Sequence, residues 1–208
     1  MRSFINQKVA GIAALIQAFL SIISLLVVLR WLGIAPTSDK LAAIARSNPF
    51  PIVLLDVIKI LSCVTTVVLV SWFWGLFKNK YSALVKWGSV AGIVSVICLF
   101  INAVISLLQI LSASPEMRLL SSEGITTMRI LVIVFGIGTL FFLGLWYIAI
   151  NRTSLINKTL PLVFCYLGIT LGIISLIPLF SQLGLVLSPI WTLWLGVILL
   201  SKHRPRYL

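Results

Sequence analysis

The stretch from Pro49 to Phe77 constrains the fold of this chain more than any other, because it is long, apolar and carries only two formal charges. Those charges, Asp56 and Lys59, are three residues apart and would share one face of a helix. The rest of the stretch is hydrophobic enough to cross a bilayer as a helix. A charged pair inside such a helix must face protein, water or lipid headgroups.

The composition places the whole chain in the same class as this stretch. Hydrophobic residues make up 61% of the 208 residues and charged residues 10%, with a mean hydropathy of +1.18. Soluble domains are much less apolar. We therefore predict an all-α fold, a polytopic membrane helix bundle that forms a single integral membrane domain over residues 1–208, with the lipid bilayer as its partner.

Six apolar runs predict six transmembrane helices. Their expected bounds are residues 9–30, 51–77, 87–111, 128–150, 159–180 and 186–201. Two connecting segments have the capping patterns of short extracytoplasmic interfacial helices, one near residues 37–46 and one between Ser114 and Thr127. Pro161 and Pro189 are expected to open helices five and six. Trp31, Trp72, Trp74 and Trp146 are expected to anchor helix ends at the membrane interface.

Basic residues are distributed unequally between the two ends of the predicted helices. One end holds Arg2, Lys8, Lys78, Lys80, Lys86, Arg152, Lys158, Lys202, Arg204 and Arg206 without an acidic residue. The other end holds Arg30, Lys40, Arg46, Arg118 and Arg129 together with Asp39, Glu116 and Glu123. Because basic residues favour the cytoplasmic side, both termini are predicted to be cytoplasmic. This pattern also accounts for the net charge of +12, so no nucleic acid partner is predicted.

Five polar residues inside the runs form a candidate intramembrane polar site: Asp56, Lys59, Asn102, Gln109 and Gln17. Asn102 and Gln109 belong to the longest polar stripe of the chain, in helix three, and Gln17 belongs to a stripe that is typical of a packed helix face. The favoured interpretation of Asp56 and Lys59 is a local ion pair near the outer boundary, with Lys59 extending toward the headgroups. The alternative is a substrate or proton site, which requires both groups to turn inward.

Gly168 and Gly172 form a GxxxG pattern in helix five, which predicts close contact with another helix. The pattern leaves open whether that helix belongs to this chain or to a second copy.

The residue types that most enzymes and metal sites require do not cluster in this sequence. Cys63, Cys98 and Cys165 lie singly inside apolar runs, and the single histidine, His203, lies in the basic C-terminal segment. No nucleophile motif, metal-binding motif or phosphate loop is present. We therefore predict no catalytic residue, no metal site, no cofactor and no enzymatic activity.

Three segments together resemble the small bacterial six-helix membrane proteins grouped as the DUF4386 family. They are Asn48-Pro49 leading to Leu55-Asp56, Leu160-Pro161 with Gly168 and Gly172, and the final run from Trp191 to Leu200. The resemblance covers most of the chain and implies a six-helix architecture in a bacterial inner membrane. It implies no activity and no site.

Two functions follow from these observations as hypotheses. The leading one is a non-catalytic accessory or structural membrane protein, with a homo-oligomer or a partner membrane protein as candidate assemblies. The alternative is a carrier or channel for a small solute that uses the Asp56/Lys59 and Asn102/Gln109 polar groups.

Overall fold

The structure, a computed structural model, describes residues 6–33, 44, 47–77, 82–112, 122–177 and 180–201, and these are almost entirely helical. Helix α1 runs from Gln7 to Val27 and continues as a π-helical turn, Val28–Leu32; the others are α2 Phe50–Phe77, α3 Ser82–Ser112, α4 Ser122–Ile156, α5 Leu162–Leu176 and α6 Ser181–Leu200. No strand occurs within the described ranges. In lipid a helix satisfies its own backbone hydrogen bonds, which is why uncharged apolar runs of this length fold as helices. The predicted all-α bundle is confirmed.

Four helices of the described chain are long and apolar enough to cross a membrane, namely Gln7–Leu32, Phe50–Phe77, Ala83–Ile110 and Thr126–Ile156. These helices identify the chain as a membrane protein. The apolar helices Leu162–Leu176 and Val186–Leu200 are shorter. With 15 residues, α5 is about 22 Å long, against about 30 Å for the hydrocarbon core of a bilayer.

Two predicted C-terminal helix ends differ from the observed ones. Helix α4 continues past Ile150 to Ile156, and within this extension the buried hydroxyls of Thr153 and Ser154 donate to carbonyls four residues earlier. Helix α5 ends at Leu176 rather than at residue 180, since Ile177 is extended ahead of Pro178 and residues before proline disfavour the helical conformation.

The prediction that Pro189 opens helix six was wrong. Pro189 lies inside α6, eight residues after the helix begins at Ser181. Pro161 does mark the start of a helix, since α5 begins at the next residue. The predicted interfacial helix near residues 37–46 lies outside the described residues except Ile44, and residues 122–127 of the second one belong to α4 itself.

The six helices form a closed ring in which each packs on the next and α6 returns to α1. Neighbours run antiparallel. The Gln7 side chain at the start of α1 donates to the Leu199 carbonyl at the end of α6 (3.0 Å), and Asn102 near the end of α3 reaches Val132 near the start of α4. The ring therefore has two distinct ends.

At one end of the ring, hereafter the aromatic end, large side chains from four helices fill the interior. They are Phe73 and Phe77 of α2, Trp146 of α4, Phe164 of α5 and Trp191 of α6, and all are almost completely buried. The ring centroids of Phe73 and Trp146 are 5.9 Å apart, those of Trp146 and Trp191 6.2 Å, and those of Phe164 and Trp191 5.0 Å. Edge-to-face and stacked aromatic pairs of this kind stabilise the packing beyond the area that they bury.

The expectation that Trp72 and Trp146 anchor helix ends at the membrane interface was wrong. Both are buried in the aromatic end, whereas Trp31 and Trp74 keep about two fifths of their surface exposed. Residues 72 and 74 are separated by 200° around a helix. When Trp74 faces outward, Trp72 therefore has to face the bundle.

Helices α4 and α5 approach closely through glycines, which answers the question that the GxxxG pattern left open. A Cβ at Gly172 would lie 2.7 Å from the carbonyl oxygen of Gly144 and would overlap Ile148, and one at Gly168 would overlap the Asn151 side chain. The pattern thus packs within this chain. In membranes, small residues allow this approach and the van der Waals contact that stabilises it.

Replacing Gly172 by alanine is expected to lower the free energy of unfolding by about 1–3 kcal/mol, the usual effect of overpacking a well-packed interface. The matched control is Gly184→Ala in α6, because a Cβ there meets only the Ser175 hydroxyl at an ordinary 3.9 Å. Unfolding of both variants in mixed micelles measures the difference. Equal losses would show that the α4/α5 contact does not depend on Gly172.

Candidate polar site inside the helix bundle

Asp56, Lys59 and Asn102 meet between α2 and α3 and form the polar site of the bundle. The Lys59 ammonium donates to Asp56 Oδ1 at 2.7 Å and to Asn102 Oδ1 at 2.9 Å. The Asn102 carboxamide in turn donates to the carbonyl oxygen of Val132 on α4 at 2.7 Å. One connected set of hydrogen bonds therefore joins α2, α3 and α4. We call the end of the ring that contains it the polar end.

The burial of the two charged groups is unequal. Asp56 is fully buried, whereas the Lys59 side chain is 33% exposed. Asp56 Oδ1 accepts from Lys59, but Asp56 Oδ2 is buried and has no hydrogen-bond partner among the described residues. Two of the three ammonium hydrogens of Lys59 have partners in the described chain. Within the described residues the pair therefore keeps one acceptor and one donor without a partner.

Lys59 lies on the face of α2 that turns toward the interior of the ring. Lys59, Thr66 and Phe73 are spaced by seven residues, which places them in one row along the helix. Phe73 contacts Trp146 of α4, a helix that is not a neighbour of α2 in the ring. Along this row Phe73 is 1% exposed, while Thr66 and Lys59 are only half-buried. The interior is thus filled at the aromatic end and less tightly covered at the polar end.

The expectation that Lys59 extends toward the headgroups beside a local ion pair is corrected by this geometry. The pair itself exists, but its ammonium group turns inward to Asn102 on the next helix. Helix α2 places Asp56 about 9 Å and Lys59 about 14 Å along its axis from Phe50, and the Asp56 carboxylate is fully buried.

Gln17 belongs to a separate contact between α1 and α2. It accepts a hydrogen bond from the Thr65 hydroxyl, and its amide nitrogen lies 3.5 Å from the Ser21 hydroxyl on the same face of α1. The polar stripe of α1 is thus a packed helix face. No hydrogen bond joins Gln17 to Asp56 or Lys59 in the described structure.

Gln109 does not join the site. It lies seven residues beyond Asn102 toward the end of α3, is half-buried, and has no hydrogen-bond partner within the described ranges. The stripe that contains it faces α4 instead: the Ser95 hydroxyl donates to the Thr139 carbonyl at 3.0 Å, as Asn102 does to that of Val132. The structure brings together three of the five predicted site residues.

Buried polar atoms that have no hydrogen-bond partner among the described residues also occur at the aromatic end, where no site was predicted from the sequence. They include the indole nitrogens of Trp146 and Trp191 and Oδ1 of Asn151. Asn151 uses its amide nitrogen on the Tyr147 carbonyl of its own helix. The helical spacing of Trp72 and Trp74 was the one signal in the sequence that could have placed tryptophans in this interior.

Cysteine positions in the structure agree with a packing role. Cys63 and Cys165 are buried, Cys98 is half-buried, and all three are free thiols. The described residues contain no group of three or more histidine, cysteine or acidic side chains that could hold a metal ion.

Comparison with known proteins adds no relative to this picture. No protein-family model matches the chain, and no curated protein or solved structure matches it at a significant level.

Proposed function

We propose that the chain is a six-span integral membrane protein that acts without catalysis, as a structural or accessory component of the membrane. The observation that carries the proposal is the way in which its interior polar and small residues are used. Lys59 and Asn102 join α2 to α3 and α4, Thr65 joins α2 to α1, and Gly172 joins α5 to α4. These groups bind the helices of one chain to each other.

The six-span topology rests on the antiparallel ring and on the distribution of charge. A bilayer crossed by α5 would have to thin locally, or the α5/α6 connection would have to lie below the headgroups, because α5 is about 22 Å long. Local thinning is a known response to a short helix, and irregular backbone below the headgroups is tolerated where protein buries it. Both termini are proposed to be cytoplasmic, since the four described bases at the aromatic end, Lys8, Lys86, Arg152 and Lys158, belong to the more basic side.

Location in a bacterial inner membrane and kinship with the DUF4386 proteins are proposals that rest on the sequence resemblance. Residues of that resemblance have clear places in the ring. Asp56 lies in the polar site, Gly168 and Gly172 lie in the α4/α5 contact, and Trp191 lies in the aromatic end.

The proposed orientation predicts how introduced cysteines react in intact cells. In a background with alanine at the three native cysteines, Asn48→Cys should react with a membrane-impermeant thiol reagent before lysis, and Lys158→Cys only after it. Both residues are exposed in the structure and lie at opposite ends of the ring. Reaction of position 158 in intact cells, without reaction of position 48, would reverse the topology.

A carrier for a small solute is the second candidate, and the geometry of the polar site favours it specifically. Lys59 faces the interior of the ring, one third of its side chain is uncovered, and the buried Asp56 beside it keeps an unpartnered oxygen. Ionisable groups inside a membrane domain commonly mark solute or proton pathways. A carrier is favoured over an open channel, because the aromatic side chains fill the interior at the other end.

Purified protein in liposomes distinguishes the two candidates. An accessory protein predicts that entrapped neutral, cationic and anionic small solutes leave the liposomes no faster than in protein-free controls. A carrier predicts faster efflux of one class, which the double variant Asp56→Asn with Lys59→Met should abolish. That variant removes both charges together, so that no unpaired charge remains inside the bundle.

A further inference from the structure

We propose that the polar site binds a small monovalent anion at the Lys59 ammonium and takes up one proton on Asp56 as it does so. Such a site would define the class of solute that the proposed carrier takes. It depends on the proposed carrier function, because the carrier supplies the route by which an anion reaches Lys59. Inorganic halides and short-chain carboxylates are the ligands of the appropriate size and charge.

The charges of the cluster define this chemistry. Asp56 and Lys59 neutralise each other, so an anion that binds Lys59 in their presence would leave one negative charge uncompensated inside the bundle. Protonation of the Asp56 carboxylate removes that charge. The carboxylate and a proton become a carboxylic acid, the Lys59 ammonium exchanges Asp56 Oδ1 for the anion, and the site is neutral before and after.

The unpartnered oxygen of Asp56 identifies the atom that accepts the proton. Oδ1 is held by Lys59, whereas Oδ2 is buried and has no hydrogen-bond donor in the described chain. A carboxylate oxygen without a donor has a lone pair available for a proton. Asn102 keeps Lys59 in place during the exchange, because its carboxamide is fixed to Val132 on α4 and its oxygen holds the ammonium.

The Lys59 ammonium is the group of the site that can bind an anion, because one of its three donors has no partner within the described chain. The other charged and titratable groups of the described chain toward this end of the ring are Cys63 on α2, Arg30 on α1, Cys98 on α3, and Glu123 and Arg129 on α4. Lys8 and Lys86 lie at the other end of the ring. Arg30 and Arg129 are exposed at the polar end, and Arg129 is one turn from Val132.

Anion binding by the purified full-length chain tests the proposal. The probes are chloride and acetate, measured by calorimetry in nanodiscs of phosphatidylcholine alone, with gluconate as a bulky control anion. One proton taken up per anion bound predicts that the affinity falls about tenfold for each unit rise in pH, by linkage. Buffers of different ionisation enthalpy give the number of protons independently.

The variant Asp56→Asn tests the proposal more sharply than the wild type does. The neutral side chain leaves Lys59 charged and without a counter-ion, so anions should bind more tightly than to the wild type and without proton uptake. If this variant is unstable in gluconate, chloride should restore its thermal stability. The double variant with Lys59→Met should show neither binding nor this rescue.

Several results would overturn the proposal. They are no binding of either probe to the wild type, binding that survives Lys59→Met, or binding without proton uptake. Stabilisation that appears only when phosphatidylglycerol is added, and that depends on Lys59, would identify a lipid headgroup as the anion and would also reject the small-anion site. Anion binding without efflux from liposomes would leave this site intact and reject the carrier.

Discussion

Trp146→Ala is expected to lower the free energy of unfolding by about 3–5 kcal/mol, the range found when a large aromatic side chain is removed from a core. Trp146 is 1% exposed and has aromatic neighbours on α2 and on α6, namely Phe73 and Trp191. Its loss would leave a cavity where non-adjacent helices meet. The change therefore acts on the ring as a whole rather than on one helix pair.

The control for this prediction is Trp74→Ala, which removes the same side chain from the outer face of α2. Trp74 is 40% exposed, so its removal should change stability by only about 0.5 kcal/mol. Reversible unfolding of both variants in bicelles gives the comparison. Similar losses at the two positions would show that the aromatic end does not hold the helices together.

Removing one partner of the Asp56/Lys59 pair should lower the free energy of unfolding about as much as Trp146→Ala does, because a buried charge left without its counter-ion typically costs about 3–5 kcal/mol. The two single variants should differ. Lys59→Met leaves a carboxylate that is fully buried, whereas Asp56→Asn leaves an ammonium group that is 33% exposed and still bonded to Asn102. We therefore expect Lys59→Met to be the more destabilising of the two.

The double variant Asp56→Asn with Lys59→Met should recover most of the loss, since no unpaired charge remains. Unfolding of all four proteins under one condition, with gluconate as the only small anion, forms a double-mutant cycle. A double variant as unstable as the sum of the two singles would show that Asp56 and Lys59 are not energetically coupled.

Helix content could be predicted from the sequence because lipid leaves few alternatives. A backbone inside a bilayer must bond to itself, so each uncharged apolar run became a helix close to its expected position. The ends were harder to predict. Thr153 and Ser154 look like loop residues in the sequence, yet their hydroxyls bond to carbonyls of α4 and allow the helix to continue.

The polar site was predicted only in part. Asp56 and Lys59 stand out in any apolar run, and Asn102 stands out in the next one, but nothing in the spacing of α2 and α3 fixes which residues face each other. Which residues meet depends on the relative axial position of the two antiparallel helices. In the observed register Lys59 meets Asn102, while Gln109 lies about 10 Å farther along α3.

The general preference of tryptophan for the membrane interface did not predict where the tryptophans of this chain lie. An indole at a helix end favours the interface on average, but a ring of six helices also needs large side chains to fill its interior. Trp146 and Trp191 serve that purpose here at the expense of two indole nitrogens without partners in the described structure. The preference of one residue cannot reveal this, because the space to be filled is a property of several helices.

The inward orientation of Lys59 is the central claim, and a distance measurement in lipid tests it most directly. In protein with ¹⁵N-labelled lysine and ¹³C-labelled asparagine and aspartate side chains, solid-state NMR should find one lysine Nζ within about 4 Å of both an aspartate and an asparagine side-chain carbon, as two hydrogen bonds of ordinary length require. The signal should vanish in Lys59→Met. A lysine Nζ close to an aspartate carbon alone, with no asparagine carbon nearby, would contradict the account and return Lys59 to the membrane surface.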